Sequence, residues 1–365
     1  MGKITILLVS LALMFIKVFG VGNKDIFLEV ELGKYVEEYV ENGLFSGTVL
    51  VANGEDIIFC KSYGMANYEL NVLNSSKTKF RIASITKQFT AMLIMQLQEK
   101  GLLNVNDSIS KYISDYPNGH KITIHHLLTH TSGISDFREF PDYYQERSKS
   151  RTLEQTIEIF KNKPLEFEPG EVYRYSNSGY ILLSYIIEKV SGKTYETILK
   201  ENILNPLNMK NSGLDHHSLI INDRASGYCC IDNVLINAPY ADTSYLSGVC
   251  AIYSTVEDLY LWNRVLYTEK LVSKKSLIKI FDAHVITNLT NPGSSGYASY
   301  GYGWNVGKLY NRDFVGHGGR TEGFASSIRR CPDGQICIIV LSNFEHSPAK
   351  EISQGLAALV FGEIL

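Results

Sequence analysis

The feature that most constrains the fold is the position of the strand-like segments, which lie near both ends of the chain and leave a helical middle. Near the N-terminus, residues 47–52 and 56–60 flank Asn53-Gly54, a dipeptide typical of a tight hairpin turn. Strands at both ends with helices between them indicate one sheet to which both termini contribute. We therefore predict an α+β fold: an antiparallel sheet flanked by helices, with an inserted helical lobe.

The sequence also predicts where the other elements lie. Helical periodicity and glycine stops indicate helices at 27–39, 86–100, 123–129, 152–162, 178–190 and 349–365. Strand signals return at 302–306, 324–330 and 336–341, with turns expected at 316–321 and at Asp333-Gly334. We expect the first and last helices to pack on one face of the sheet. The domains would be an α/β lobe of residues 23–79 plus 246–365 and a helical lobe of residues 80–245.

The first 22 residues have the pattern of an export signal. Lys3 precedes an apolar run at 4–19, which Lys17 interrupts near its end, and Gly20 and Gly22 offer a cleavage point. The run is shorter than the roughly 20 apolar residues that a membrane span needs. We predict a secreted or extracytoplasmic protein. An uncleaved N-terminal anchor, which would tether the protein to a membrane, is the alternative.

Size and composition limit the remaining possibilities. With 365 residues, 45% of them hydrophobic, the chain can bury a large core as one large domain or two lobes. A net charge of -3 and scattered basic residues argue against a nucleic-acid partner.

Of the six cysteines, Cys331 and Cys337 flank an expected turn. A three-residue loop would place them opposite each other and permit a disulfide, whereas a two-residue turn would not, and both possibilities stay open.

Ser84-Ile-Thr-Lys87 is the first candidate for catalytic chemistry. Ser-x-x-Lys is a weak signal alone, because five such tetrads begin at Ser76, Ser84, Ser108, Ser276 and Ser347. Ser84 differs because it lies where an extended segment becomes a long apolar helix, beside free backbone N–H groups and the positive end of the helix dipole. Lys87 is one turn further on and shares its face. The simpler interpretation is a helix cap at Ser84 and a solvated Lys87.

Two later segments favour the catalytic interpretation. Tyr175 and Asn177 lie two residues apart before a predicted helix, so both side chains could face one cleft. The simpler interpretation is a helix cap by Asn177 or Ser178. The glycine-rich run at 317–320 precedes a predicted strand, and its glycines would let a substrate lie close to the backbone. The simpler interpretation is a plain glycine turn with an incidental histidine.

In combination, these motifs resemble those of the penicillin-recognising serine hydrolases, which include class C β-lactamases, D-alanyl-D-alanine peptidases and related esterases. The family pattern is Ser-x-x-Lys, Tyr-x-Asn and Lys- or His-x-Gly in this order, found here at 84–87, 175–177 and 317–319. The resemblance includes the flanking segments 122–134, 167–170 and 341–343 and covers residues 28–365. It implies the β-lactamase/transpeptidase-like fold and a serine hydrolase that forms an acyl-enzyme without a cofactor.

The resemblance also implies a role for each site residue. Ser84 would be the nucleophile, Lys87 the base that takes its proton, and Tyr175 the proton relay. Asn177 would bind a substrate carbonyl, and the backbone N–H groups of Ser84 and Arg320 would form the oxyanion hole. The substrate-binding set is completed by His317 and Gly319. The substrate would be a small molecule or a peptide with an ester or amide bond.

Substrate preference is less constrained. Family members that bind penicillin or a D-alanine terminus well often have Thr or Ser at the middle position of the third motif, where this chain has Gly318. We hypothesise that Gly318 biases the enzyme toward neutral esters or amides. The pocket walls are expected from the loops at 141–150, 238–247 and 287–298.

Two alternatives complete the sequence-based account. His126 and His130 lie four apart on a predicted helix, but no Glu follows His126, so the His-Glu-x-x-His zinc signature is absent and we expect packing roles and no metal. The alternative to an active hydrolase is a catalytically idle relative that serves as a binding protein of the cell envelope or extracellular space. The presence of Ser84, Lys87 and Tyr175 favours the enzyme.

Overall fold

The computed structural model describes residues 23–232, 234–287 and 297–363, and the predicted export segment lies outside this range. None of the helices in these ranges has the length and apolar character needed to cross a bilayer. The α-helices are α1 (Asn23–Glu41), α2 (Thr86–Glu99), α3 (Ile124–Leu128), α4 (Tyr143–Glu146), α5 (Leu153–Phe160), α6 (Asn177–Ser191), α7 (Tyr195–Leu199), α8 (Asn205–Leu207), α9 (Val256–Val265), α10 (Lys274–Phe281) and α11 (Ala349–Phe361).

Short strands accompany a group of longer ones. The strands are β1 (Gly47–Asn53), β2 (Asp56–Tyr63), β3 (Met65–Asn67), β4 (Val72–Leu73), β5 (Phe80–Arg81), β6 (Gly213–Leu214), β7 (Tyr228–Ile231), β8 (Val234–Asn237), β9 (Ile252–Ser254), β10 (Val285–Ile286), β11 (Tyr297–Tyr300), β12 (Asn305–Leu309), β13 (Arg312–Thr321), β14 (Phe324–Cys331) and β15 (Ile336–Ser342).

The central sheet contains strands from both ends of the chain, as the sequence predicts. Its order is β10-β11-β12-β13-β14-β15-β1-β2, and all of its neighbouring strands are antiparallel. β1 pairs with β15 in a register that places Val49 opposite Val340. The β1–β2 hairpin forms as predicted, but Asn53 still pairs with Asp56, so its turn is at Gly54-Glu55, one residue later than expected. The first hairpin is therefore added to the edge of a C-terminal meander, with the helical segment inserted between them in sequence.

Along each strand, successive side chains point to opposite faces of the sheet. Both of these faces are buried, each in its own hydrophobic core. On one face, Val340 packs in a core with Leu32 and Val36 of α1 and with Ile352 and Leu356 of α11. The predicted packing of the two terminal helices on one face is therefore confirmed. On the other face, the alternate residues of β15 join a larger core with the inserted helices and α9. This second core supports the helix that follows Ser84.

The predicted turn at 316–321 is wrong. These residues form the second half of β13, and the chain reverses only after Thr321, before β14 begins at Phe324. Glycine here reflects a close approach of two backbones: a Cβ on Gly319 would lie 2.7 Å from Ile82 O and Ser84 N. The strand predicted at 302–306 is also displaced, since β12 begins at Asn305 and β11 ends at Tyr300.

Cys331 and Cys337 are both buried and free, so the disulfide considered from the sequence is not formed. The hairpin loop has neither of the expected lengths, because Cys331 pairs with Ile336 while Cys337 pairs with Arg330. Neighbouring positions on a strand point to opposite faces. Cys331 accordingly lies in the core beneath the terminal helices and Cys337 in the core on the opposite face.

Candidate active site

Ser84 lies in a single 3₁₀ turn, Ala83–Ile85, that connects β5 to α2. Ala83 has a positive φ of 47°, an unusual conformation for a residue with a side chain. The side chain of Ser84 caps neither the 3₁₀ turn nor α2. Instead, its Oγ lies 3.2 Å from Lys87 Nζ. Because Ser84 is half-buried, a substrate can reach it, and the interpretation as a helix cap fails.

Lys87 is completely buried, unlike the lysines of the other four Ser-x-x-Lys tetrads, which are half-buried or exposed. Its Nζ also lies 2.9 Å from Asn177 Oδ1 and 3.2 Å from Val249 O. Burial lowers the pKa of the ammonium to about 7, although the negative charge of Asp136 acts in the opposite direction. Lys87 can therefore lose its proton near neutral pH, and the interpretation as a solvated lysine fails as well.

The three partners of Lys87 suit a base that acts on Ser84. An ammonium has three N–H groups, one for each acceptor. After loss of one proton, the two remaining N–H groups suffice for Asn177 and Val249. The lone pair is then free to accept the Ser84 hydroxyl proton across the 3.2 Å contact. The same geometry thus serves both protonation states.

Asn177 connects Lys87 to a buried carboxylate that the sequence analysis missed. It is the first residue of α6, and its Nδ2 donates to Asp136 Oδ2 at 2.7 Å while its Oδ1 accepts from Lys87. Only one amide orientation satisfies a carboxylate on one side and an ammonium on the other. Asp136 lies two residues after the 122–134 segment of the family resemblance. This position is the one sequence signal that could have identified it.

Tyr175 faces the same pair from across the cleft. Lys87 Nζ lies 4.9 Å from the centre of the Tyr175 ring. The phenol oxygen is buried and forms no hydrogen bond of normal geometry with any residue that the structure describes, yet it is close enough to Ser84 to interact electrostatically. Burial raises the pKa of Tyr175 well above its usual value, and the Ser84 side chain opposes this shift. Tyr175 is therefore a protonated hydroxyl directed at the serine.

Strand β13 provides the opposite wall. The close approach at Gly319 brings the backbone of β13 beside the Ser84 amide, where the oxyanion hole is expected. His317 is buried, and its Nδ1 donates to Gly318 O at 2.6 Å. Its Nε2 then accepts from the Tyr300 hydroxyl at 3.0 Å. Burial and the charge of Lys87 lower the pKa of His317 to about 3, so the ring is neutral.

The cavity that contains Ser84 has a volume of about 640 Å³. Its lining includes Tyr175, Asn177 and the β13 residues 317–320. Lys87 lies behind this lining, in contact with Ser84, so all of the predicted site residues lie at or directly beneath one cavity. The loops at 141–150 and 238–247 do not line it, so the predicted walls are wrong there, and most of 287–298 lies outside the described residues. The chain leaving β15 returns beside β13, and the start of α11 forms the wall instead. Lys350 crosses Gly318: a Cβ on that glycine would lie 2.5 Å from Lys350 Cε.

His126 and His130 do not converge on a common point. Each uses Nδ1 to accept a backbone N–H group, from Thr123 at 3.2 Å and from Ser176 at 3.1 Å respectively. Across 23–232, 234–287 and 297–363, no group of three or more acidic, histidine or cysteine side chains is arranged to hold a metal ion.

Comparison with known proteins places this geometry in a family. A family model described as Beta-lactamase matches residues 32–362. Penicillin-binding protein 4* of Bacillus subtilis (strain 168) is 30% identical over 340 residues, which cover 88% of this chain and 74% of the relative. The octameric penicillin-binding protein homologue from Pyrococcus abyssi has a TM-score of 0.81 at 30% identity, over 91% of this chain and 77% of that chain.

A more distant solved structure shares the fold. The D-amino acid amidase from Ochrobactrum anthropi SV3, complexed with D-phenylalanine, has a TM-score of 0.82 at 22% identity. The match covers 92% of this chain and 99% of the amidase. With a family model that spans nearly all of the described residues and relatives at 30% identity, this chain belongs to the β-lactamase family of serine hydrolases.

Proposed function

We propose that Ser84 is the nucleophile of an acyl-enzyme hydrolase that cleaves an ester or amide, with Lys87 as its base and Tyr175 as its proton relay. The observation that carries the proposal is the 3.2 Å contact between Lys87 Nζ and Ser84 Oγ, made by a buried lysine whose pKa is lowered to about 7. A serine hydroxyl becomes an effective nucleophile only when a nearby base accepts its proton.

In the acylation step, Ser84 Oγ bonds to the substrate carbonyl carbon while its proton moves to Lys87. The carbonyl oxygen becomes an oxyanion, which the backbone N–H groups of Ser84 and Arg320 stabilise. The tetrahedral intermediate then expels the leaving group, which takes a proton from Tyr175 as Tyr175 recovers one from Lys87. Because the pKa of Tyr175 is raised, its hydroxyl holds a proton to give.

Water completes the cycle. The oxygen of the attacking water bonds to the acyl carbon while one of the water protons passes to the Lys87–Tyr175 pair. The bond from the acyl carbon to Ser84 Oγ then breaks, and Ser84 takes a proton back from this pair. The products are a carboxylic acid and an alcohol or amine, so no cofactor is needed. Asn177 uses one Nδ2 hydrogen on Asp136. The second hydrogen can donate to a carbonyl of a small-molecule or peptide substrate.

The proposed site combines residues from both predicted lobes. Ser84, Lys87, Tyr175 and Asn177 belong to the helical segment 80–245, whereas residues 317–320 belong to the part of the chain at 246–365. This supports the proposed division of the chain, with the cleft where the two lobes meet. We also propose export, by a cleaved signal or an uncleaved anchor in residues 1–22, which lie outside the described residues.

Burst kinetics test the proposed function. Mixing the protein with p-nitrophenyl acetate should release about one equivalent of p-nitrophenolate rapidly, as the acyl-enzyme accumulates, followed by a slower steady state. Ser84→Ala should abolish the burst, and Ser347→Ala, at a second serine of the same cavity, should leave it intact. A wild-type protein that shows neither burst nor turnover would favour the idle binding protein instead.

A further inference from the structure

His130 lies directly against Tyr175 and is almost completely buried, with 1% of its surface exposed. The centres of the two rings are 4.1 Å apart, and their planes are inclined by 31°. Tyr300 and Tyr180 enclose the imidazole further, with centre-to-centre distances of 4.8 Å and 5.1 Å. Rings packed together on several sides restrict one another's orientation. His130 therefore fixes the plane of the Tyr175 phenol.

His130 also holds the backbone on both sides of Tyr175. Its carbonyl oxygen accepts from Arg174 N at 2.9 Å. Its Nδ1 accepts from Ser176 N at 3.1 Å. We infer that His130 is a positioning residue that fixes Tyr175 for proton transfer, an inference that rests on the proposed function.

The contact with Ser176 determines the form of the imidazole. A backbone N–H group can only donate, so Nδ1 must be the unprotonated nitrogen and Nε2 must carry the hydrogen. An imidazolium would place a second donor against Ser176 N and break the bond. Burial and the charge of Lys87 lower the pKa of His130 well below its usual value, which keeps the ring neutral.

The backbone of His130 is itself unusual, with a φ of 58°. Asn tolerates this left-handed conformation better than most residues with a side chain. His130→Asn can also place an amide oxygen near the position of Nδ1, but it lacks the ring. His130→Phe retains a ring and lacks the acceptor. The two variants therefore separate the two contributions.

His126 provides a matched control. It lies four residues earlier in the chain, and its Nδ1 also accepts a backbone N–H group, from Thr123. That bond caps the start of α3 and does not involve the Tyr175 segment. His126→Phe should therefore affect the stability of α3 and leave the positioning of Tyr175 unchanged.

The test compares acylation rates for phenyl acetate and p-nitrophenyl acetate in these variants. Phenolate needs a proton from Tyr175 in order to leave, whereas p-nitrophenolate leaves readily without one. His130→Phe should lower the single-turnover acylation rate for phenyl acetate by about 10²-fold, the cost of misplacing a catalytic group. The loss in acylation rate for p-nitrophenyl acetate should stay below about tenfold, and the ester concentration that gives half-maximal acylation should change little for either ester. His130→Asn should recover most of the activity on phenyl acetate.

Two results would overturn the inference: equal losses on both esters in His130→Phe, or the same selective loss in His126→Phe. If His130→Phe does not fold, His130→Gly replaces it, since glycine suits the left-handed backbone and lacks both the ring and the acceptor. The same selective loss is expected. A wild-type protein without acylation at Ser84 would overturn the proposed function and this inference together, whereas equal losses with intact acylation overturn the inference alone.

Discussion

Two Ser-x-x-Lys tetrads, Ser84–Lys87 and Ser347–Lys350, have their serines in the lining of the same cavity but differ in almost every physical respect. Lys87 is buried and lies 3.2 Å from its serine. Ser347 Oγ is buried and has no hydrogen-bond partner among the described residues, and Lys350 extends across Gly318 to an exposed position. Burial lowers the pKa of Lys350 as well, but the residue as a whole is exposed, whereas Lys87 is completely buried. The spacing is identical, so it is the surroundings that determine whether the lysine can act as a base.

The largest expected effect is the difference between Lys87→Met and Lys350→Met. Methionine is similar in length but can neither accept nor donate a proton, so Lys87→Met should lower the acylation rate by about 10²–10⁴-fold. Lys350→Met should change acylation by p-nitrophenyl acetate less than about threefold, since a neutral ester does not need its charge. Stopped-flow measurement of p-nitrophenolate release gives both rates. Equal losses in the two variants would contradict the distinction between the tetrads.

A smaller effect is expected from Gly318→Thr. The absent hydroxyl should cost a substrate carboxylate about 1.5–3 kcal/mol, so wild-type protein should prefer p-nitrophenyl acetate to nitrocefin or a D-alanyl-D-alanine peptide. Gly318→Thr should raise kcat/KM for the carboxylate substrates roughly ten- to a hundredfold relative to the ester. The threonine must displace Lys350, which a flexible side chain permits.

A preference of the wild-type protein for carboxylate substrates would contradict the prediction for Gly318. If wild-type protein turns over nitrocefin faster than the ester and Gly318→Thr changes nothing, the bias toward neutral substrates is wrong. Lys350→Met and Arg320→Met would then identify the cation that binds the carboxylate, because only the relevant variant would lose nitrocefin turnover while retaining ester hydrolysis.

The smallest expected effect is a shift in pH dependence. Activity should rise as the pH increases through about 7, because Lys87 must lose its proton to act as the base. The charge of Asp136 stabilises the ammonium, so Asp136→Asn should lower the pKa of Lys87 and move this rise to lower pH. Glu351→Gln is the control, since Glu351 acts on Lys350. If the rise in activity of Asp136→Asn stays at the wild-type pH or moves to higher pH, the assignment of this rise to deprotonation of Lys87 is contradicted.

Much of the fold could be predicted from sequence because its signals are local. Short apolar runs on both sides of Asn53-Gly54 specify a hairpin, and the β15 run is buried on both faces, as its continuous apolar sequence suggests. The predicted turn at 316–321 failed because glycine has two uses: it permits a turn, or it permits the close approach of another backbone. Only the position of Ser84 beside Gly319 distinguishes them, and that contact joins residues far apart in sequence.

The candidate site shows the same limit. Ser84 and Lys87 are one helical turn apart, so the sequence could propose them as a pair. Asp136, Tyr300 and Lys350 were missed because each reaches the site from a separate element. Asp136 at least follows the 122–134 segment of the family resemblance, whereas nothing in the local sequence of Tyr300 or Lys350 indicates the contact. Resemblance to a family identified residues within motifs but not the residues that support them.

The most direct test of the account is to locate the residue that an active-site label modifies. The protein is treated with a fluorophosphonate, digested and analysed by mass spectrometry, with Ser84→Ala and Ser347→Ala treated in parallel. We expect a single adduct on Ser84, retained in Ser347→Ala and lost in Ser84→Ala. An adduct on Ser347, or an unmodified Ser84 in folded wild-type protein, would contradict it.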